Sequence, residues 1–256
     1  MIHILVTNDD GIYAPGIKML WQELSRIGKV AVVAPDSERS ATSHAITVNH
    51  PIRVDEFCVA KDNICGWRIS GTPSDCVKIA VEALLPEPPD VIVSGINQGP
   101  NLGTDVIYSG TVSAAIEGAM HGIPSLAISL DSWLPSTADD FRPAAVFAVR
   151  LVQLLQDHAL PPNTLLNVNV PALPEDRIQG VAITKLGVIR YKNTFEKRQD
   201  PRGRIYYWMG GDVMDTANEP DSDVEAVKSG KISVTPIHFD LTNYAIINLL
   251  KGWDIK

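Results

Sequence analysis

The sequence predicts an α/β protein: a Rossmann-like, three-layer core on a mainly parallel sheet, followed by a C-terminal antiparallel hairpin segment suited to oligomerisation. Three observations predict it. Short β-branched and aliphatic runs alternate with helical patterns through roughly the first 185 residues, at the spacing of βαβ units. Several of those runs end in small polar or acidic residues, the position where open α/β sheets bind ligands. Beyond about residue 187 the character shifts to aromatic and β-forming residues mixed with basic ones. The expected division is therefore an α/β core over residues 1–186 and a hairpin and closing segment over 187–256.

The first strand is carried by Ile4, Leu5 and Val6 and ends at Thr7-Asn8-Asp9-Asp10-Gly11, where Gly11 allows a sharp turn. Ile17, Leu20, Leu24 and Ile27 then recur at helical spacing, with Gly28 as the stop. Residues 30–34 read as a second buried strand closed by Pro35, and residues 36–44 are too polar to be core. Further extended structure is expected over 46–54. Thr72-Pro73-Ser74-Asp75 combines a capping threonine, a proline at the first helical position and an acid three residues after the cap, so a helix is expected to about Leu85. Residues 90–95 and 125–130 are two more strands, 114–121 and 143–157 two more helices, and 165–170 closes the alternation. After it come one arm of a hairpin at 204–211, a strand at 232–237 and a helix at 241–250.

Composition narrows the function. With 30 acidic against 22 basic residues the net charge is −8, which argues against a partner such as a nucleic-acid duplex. No run of eighteen apolar residues appears, so no membrane helix is expected, and a strand that begins within a few residues of Met1 leaves no room for a signal peptide; the expected location is cytoplasmic. Cys58, Cys65 and Cys76 have no paired C-x-x-C spacing, which predicts reduced thiols, no zinc site and no disulfide framework, with Cys76 packed on a helix.

Two readings fit the adjacent carboxylates of Asp9 and Asp10: a hard divalent cation held through oxygen, or a solvated Asx-type turn. Two other loops after parallel strands add oxygen ligands, one with Ser37, Ser40, Thr42 and Ser43, the other running from Ser94 to Asn101. Because such loops emerge on one edge of a parallel sheet, the three can converge, and their chemistry suits Mg²⁺ or Mn²⁺. Ser109-Gly110-Thr111 opens a small-residue helix whose backbone N–H groups and dipole favour a phosphate oxygen. His44 reads as a residue hydrogen-bonded to hold its loop rather than a proton shuttle, and Tyr206-Tyr207-Trp208 as a packing or subunit surface.

Val6-Thr7-Asn8-Asp9-Asp10-Gly11, Ala34-Pro35-Asp36 with Glu38-Arg39-Ser40-Ala41, Gly71-Thr72-Pro73-Ser74-Asp75-Cys76-Val77, Val93-Ser94-Gly95-Ile96-Asn97 and Ser109-Gly110-Thr111-Val112 together resemble the SurE family of stationary-phase survival proteins. Leu166-Asn167-Val168-Asn169-Val170-Pro171 extends the likeness. The resemblance implies a metal-dependent phosphatase of nucleoside monophosphates, a 5′-nucleotidase with possible 3′-nucleotidase and exopolyphosphatase activity. It implies one Mg²⁺ or Mn²⁺ per subunit on Asp9, Asp10, Ser40 and Asn97, with Asp9 or Asp10 also catalytic. Asn8, Asn101, Ser109, Gly110 and Thr111 fall around the phosphate, and the assembly implied is a homodimer or homotetramer. Ser43 stands where the family usually has glycine.

Two rivals share the acidic pair and lack a residue each requires. A phosphorylation receiver needs an aspartate at the end of its third parallel strand, where this chain has Ser94. A haloacid-dehalogenase-type phosphatase needs a nucleophilic aspartate two residues before its acid, where this chain has Asn8, and an amide cannot form an aspartyl phosphate. The remaining alternative is a non-catalytic module that senses nucleotide or metal in the same pocket.

Overall fold

The computed structural model describes residues 1–59, 64–133, 137–192, 194–214 and 216–255. In chain order the strands are β1 (Ile2–Thr7), β2 (Gly28–Pro35), β3 (Val54–Val59), β4 (Ile64–Ile69), β5 (Val91–Gln98), β6 (Ser125–Asp131), β7 (Thr164–Pro171), β8 (Val181–Ile183), β9 (Tyr191–Lys192), β10 (Phe195–Gln199), β11 (Ile205–Met209), β12 (Asp212–Val213) and β13 (Ile232–His238). The helices are α1 (Pro15–Leu24), α2 (Pro73–Ile79), α3 (Gly110–Met120), α4 (Arg142–Asp157), α5 (Asp223–Lys228) and α6 (Tyr244–Lys251). This is the α/β architecture expected from the sequence, with small antiparallel pairs added.

Among the described residues, nine strands form one sheet in the order β3-β4-β2-β1-β5-β6-β7-β13-β8. The central six, β4 to β7, are parallel. β3 is antiparallel to β4 at one edge, and β13 is antiparallel to β7 near the other. From β1 the chain builds outward first through β2 and β4, then through β5, β6 and β7 on the opposite side. The order therefore reverses between β1 and β5, and the crevice at their carboxyl ends is the switch point where such sheets bind ligands.

Strand alternation produces the layers. Ile4 and Val6 face one side of the sheet and pack with Ile17, Leu20 and Leu24 of α1 and Ala144, Ala148 and Val152 of α4. Leu5 faces the other side, with Val33, Ile92, Cys76 and Val77 of α2 and Ala114 of α3. The Thr72–Asp75 signal is borne out as a full capping box that opens α2. After Ile79 the helix loosens into a π-helical turn, Ala80–Leu84, before the prolines.

Two expectations are corrected. No regular strand spans 46–53; the strand begins at Val54 and forms a hairpin with β4 that the sequence reading did not anticipate. Thr47 is held instead by a side chain, Asp75 accepting from both its amide and its hydroxyl. That hairpin register puts Cys58 opposite Cys65, and the two form a disulfide rather than the reduced pair expected. Spacing was a poor guide because cross-strand pairing, not a sequence motif, brings the sulfurs together. Cys76 is buried and unbridged, as expected.

The chain leaves the sheet near Gly187, where β9–β12 and β10–β11 form two small ladders, and re-enters it as β13 between β7 and β8. Every residue of β10 and β11 is exposed. Among the described residues, no helix is long and apolar enough to cross a membrane.

The site edge of the sheet depends on one close helix approach. A Cβ added at Gly16, in the first turn of α1, would lie 2.0 Å from the carbonyl oxygen of Ile96. Gly16→Ala is expected to destabilise the fold by about 1–3 kcal/mol, the usual cost of overpacking, read as a lowered urea midpoint; a midpoint equal to wild type would contradict this packing.

Candidate active site

Thr7 and Asn8 are buried as β1 ends, so the acidic pair emerges from the sheet interior rather than from a solvated loop. Gly11 turns the chain at φ +96°, a conformation that favours glycine, and Asn8 clamps the turn by donating from Nδ2 to the Gly11 carbonyl at 2.9 Å. Asp9 is 4% exposed and lies under the start of α3. A Cβ at Gly110 would sit 2.8 Å from the Asp9 Cβ and 2.9 Å from its Oδ2, so only glycine lets the helix come this close. Thr111 donates its hydroxyl to Asp9 Oδ1 at 2.5 Å, and its backbone N–H also serves the carboxylate. Asp10 Oδ2 accepts from the backbone N–H of Gln98 at 3.0 Å, which links the first loop to the end of β5.

Burial pushes the Asp9 carboxyl above its ordinary range, against the lowering effect of the Thr111 hydrogen bonds. Asp10 is pushed up to about 7, first by burial and then by the charges of Asp9 and Glu38. The third charge at the site is thus also acidic. Asn8 Oδ1 is a further buried oxygen, without a hydrogen-bond partner among the described residues. An accumulation of oxygen donors that destabilise each other's ionised forms is what a hard divalent cation relieves, so the residues fit such an ion. Among the described residues no three His, Cys, Asp or Glu side chains form a metal cage. A cation here would draw on mixed carboxylate, hydroxyl and amide ligands.

The polar loop reaches the pair through its backbone: Arg39 N–H donates to the Asp9 carbonyl at 2.7 Å. Ser40 is exposed, and its hydroxyl donates to Glu38 Oε1 at 2.6 Å rather than to either aspartate. The loop is pinned further along. Ser43 holds a φ of +53°, its amide donating to Tyr108 and its hydroxyl to Ile107. His44 Nε2 lies 2.8 Å from Glu117 Oε2, bearing out the loop-holding reading. Asn97 is half-buried at the β5 terminus beside a register shift, with Nδ2 donating to the Gly99 carbonyl.

Asn101 is buried and heavily engaged. Its N–H donates to Asn169 Oδ1 and its Nδ2 to Ser129 Oγ, while its carbonyl accepts from the amides of Asn167 and Asn169. Ser109 caps α3 by accepting from the Val112 N–H at 3.1 Å. The structure therefore brings Asn8, Asp9, Asp10, Gly110 and Thr111 into one packed group, with Asn97 and Asn101 on the adjoining loop and Ser40 turned aside.

Five residues escaped sequence reasoning. Glu38 stood inside a quoted motif, but nothing in its spacing says that it faces the pair. Glu117 stabilises the polar loop from the body of α3, where an acid reads as an ordinary helix residue. Asn167 and Asn169 occupy alternate positions of β7, and two amides on one face of a buried strand were a usable signal. Asp223 is fully buried and accepts from the N–H groups of Gly103, Gly187 and Val224; no local pattern marks it.

A family model described as "Survival protein SurE" matches residues 4–193. A protein of Heliobacterium modesticaldum named 5′-nucleotidase SurE is 55% identical over 252 residues, covering 98% of this chain and 92% of that protein. The protein of the same name from Carboxydothermus hydrogenoformans is 53% identical over 254 residues, covering 98% and 96%. Among solved structures, the SurE protein of Aquifex aeolicus superposes with a TM-score of 0.83 at 38% identity, covering 97% of this chain and 98% of that one.

The electrostatics give a signed expectation for protein stripped of metal by a chelator. Burial and the neighbouring charges push the Asp10 carboxyl up to about 7 in the folded state, above its ordinary 3.8, so the fold holds the proton more tightly. Its contribution to stability is then greatest at low pH and declines as pH rises from about 4 to about 7. Chelated Asp10→Asn should melt higher than chelated wild type at pH 8, by roughly 3 °C or more, with the gap narrowing toward pH 5. A gap that is constant across that range would show that burial of this charge is not what strains the apo site.

Proposed function

The chain belongs to the SurE family, and from that membership and the geometry of the acidic pair we infer that it is a 5′-nucleotidase, a phosphoric monoester hydrolase that releases phosphate from nucleoside 5′-monophosphates. The observation that carries this reading is the packing of Asp9 beneath Gly110 and Thr111. It sets a carboxylate pair against a helix N-terminus, so cation binding and phosphate binding share one point in space.

Asp9, Asp10 and Asn97 would hold one Mg²⁺ or Mn²⁺, joined by Ser40 once its hydroxyl turns from Glu38. When bound, such an ion neutralises charge on the phosphoryl oxygens and lowers the pKa of a water. The chain supplies the rest. Ser109, Gly110 and the first turn of α3 receive the phosphoryl oxygens through hydroxyl and N–H donors, with Asn8 and Asn101 bounding the same space. Thr111 positions Asp9 through its hydroxyl and contributes to the cradle through its place in that turn. One carboxylate of the pair takes a proton from the attacking water as its oxygen bonds to phosphorus. The phosphorus–ester oxygen bond breaks, and the nucleoside leaves as an alcohol once its oxygen is protonated. Terminal phosphates on 3′-nucleotides and on polyphosphate present the same group, so activity on both belongs to the proposal.

Self-association is part of the same reading. Among the described residues, β10 and β11 pair only with each other, and they expose Phe195, Ile205, Tyr207, Trp208 and Met209. A two-stranded ribbon of this kind is marginal alone and gains from a partner surface; we assign it to a homodimer or homotetramer contact.

Two experiments test the proposal. Purified protein with adenosine 5′-monophosphate and Mg²⁺ or Mn²⁺ should release phosphate, and a chelator should abolish this reversibly. Asp9→Asn should lower kcat by at least about a hundredfold, the scale of losing a preorganised electrostatic contact; undiminished turnover in chelated protein would sink the mechanism. Replacing residues 194–211 with a short Gly/Ser connection should yield monomers by light scattering. Wild type that is itself monomeric at micromolar concentration would overturn the assembly.

A further inference from the structure

Trp133 follows β6, the strand beside β5, and is 76% exposed although it is the largest apolar side chain type. It is not a loose surface residue. A Cβ added at Gly99 would meet its six-membered ring at 2.9 Å from Cζ3 and 3.1 Å from both Cε3 and Cη2, so the indole rests against the Gly99 backbone. Gly99 is itself fixed. Its N–H donates to the Leu130 carbonyl at 3.0 Å, its carbonyl accepts from Asn97 Nδ2 at 2.8 Å, and its φ of +104° favours glycine. The residue before it, Gln98, gives its N–H to Asp10.

The indole is therefore seated on the loop that contains Asn97, one residue from the amide that binds Asp10, with most of its surface still in water. Tyr13 and Tyr108, 72% and 63% exposed, lie close by in sequence to the site, Tyr13 just after the acidic turn and Tyr108 at the end of a short 3₁₀ turn next to Ser109. Three exposed aromatics thus lie on segments that adjoin the proposed phosphate site. Bases stack on aromatic faces regardless of their hydrogen-bonding edges. Of the three, Trp133 has the largest ring and the most rigid seat, whereas the Tyr13 hydroxyl is already engaged by Arg68.

We propose that Trp133 is the stacking platform for the nucleobase of the substrate, the residue by which this site distinguishes a nucleotide from a bare sugar phosphate. The proposal rests on the 5′-nucleotidase reading and deepens it. It predicts recognition by stacking with little discrimination among bases, because the ring offers one indole N–H and no acceptor.

The test compares kcat/KM for adenosine 5′-monophosphate with that for ribose 5-phosphate, which has the same phosphoester and no base, in wild type, Trp133→Ala and Trp133→Phe. The ratio of the two should fall about tenfold in Trp133→Ala, within the range for losing one base–aromatic stack, and Trp133→Phe should recover most of it. The fall should lie in KM for the nucleotide. A ratio unmoved by Trp133→Ala, or lowered equally by Trp133→Phe, overturns the platform while leaving the nucleotidase standing. Wild type inert toward both compounds overturns the nucleotidase reading and the platform with it. Light scattering on the variants separates a stacking role from a subunit contact: dissociation of Trp133→Ala would also overturn the proposal.

Discussion

Everything at the site depends on the contact between a buried carboxylate and the first turn of a helix. Asp9 is removed from water at the end of β1, and α3 begins directly over it with a glycine where any other residue would collide. Burial alone would drive the carboxyl to its neutral form. The Thr111 donors and the helix dipole work in the other direction, and the balance still falls on the raised side. Such a group is unstable by itself as an anion, and the neighbouring Asp10 makes it more so. A cation bound at this turn would therefore be the natural release of an electrostatic conflict built into the sheet.

The fold makes that conflict affordable. A parallel strand buried on both faces must end in a turn whose polar groups find partners, and reversal of strand order beside β1 opens a crevice there. The β2 loop, the β5 loop and the head of α3 all reach into it, and main-chain N–H donors tie the loops in place: Arg39 N–H to the Asp9 carbonyl, Gln98 N–H to the Asp10 carboxylate, Ser43 N–H to the Tyr108 carbonyl. Groups held this way have little freedom to collapse onto one another. Preorganisation is thus a property of main-chain geometry, with the side chains as its payload.

Much of this was legible in the sequence, and the limits of legibility have physical causes. The strands of the parallel core, the capped start of α2 and the acidic turn are local features: periodicity, capping chemistry and a glycine after two acids are all written within a few residues. What could not be read depends on distant pairing. The β3–β4 hairpin and its Cys58–Cys65 bridge arise from register, and the tie from Asp223 to Gly103 joins residues 120 positions apart. The orientation of Ser40 was equally hidden, since a serine in a polar loop can turn to any neighbour and this one turns to Glu38. Ser43 shows the converse: a left-handed residue that usually calls for glycine is retained because two hydrogen bonds from the adjoining segment hold it there.

The place of β13 has a consequence for how the protein is made. It lies between β7 and β8, antiparallel to the first and parallel to the second, so β8 has no neighbour in the sheet until β13 arrives. A ribosome delivers the chain from its N-terminus at about 5–20 residues per second. β7, with its buried Val168 and Val170, therefore leaves the exit tunnel well before the strand that covers its open edge. During that interval the nascent chain presents an unpaired edge beside apolar residues, the surface that chaperones recognise and that favours aggregation when synthesis stalls. Pauses between the codons for β8 and β13 would lengthen that exposure most.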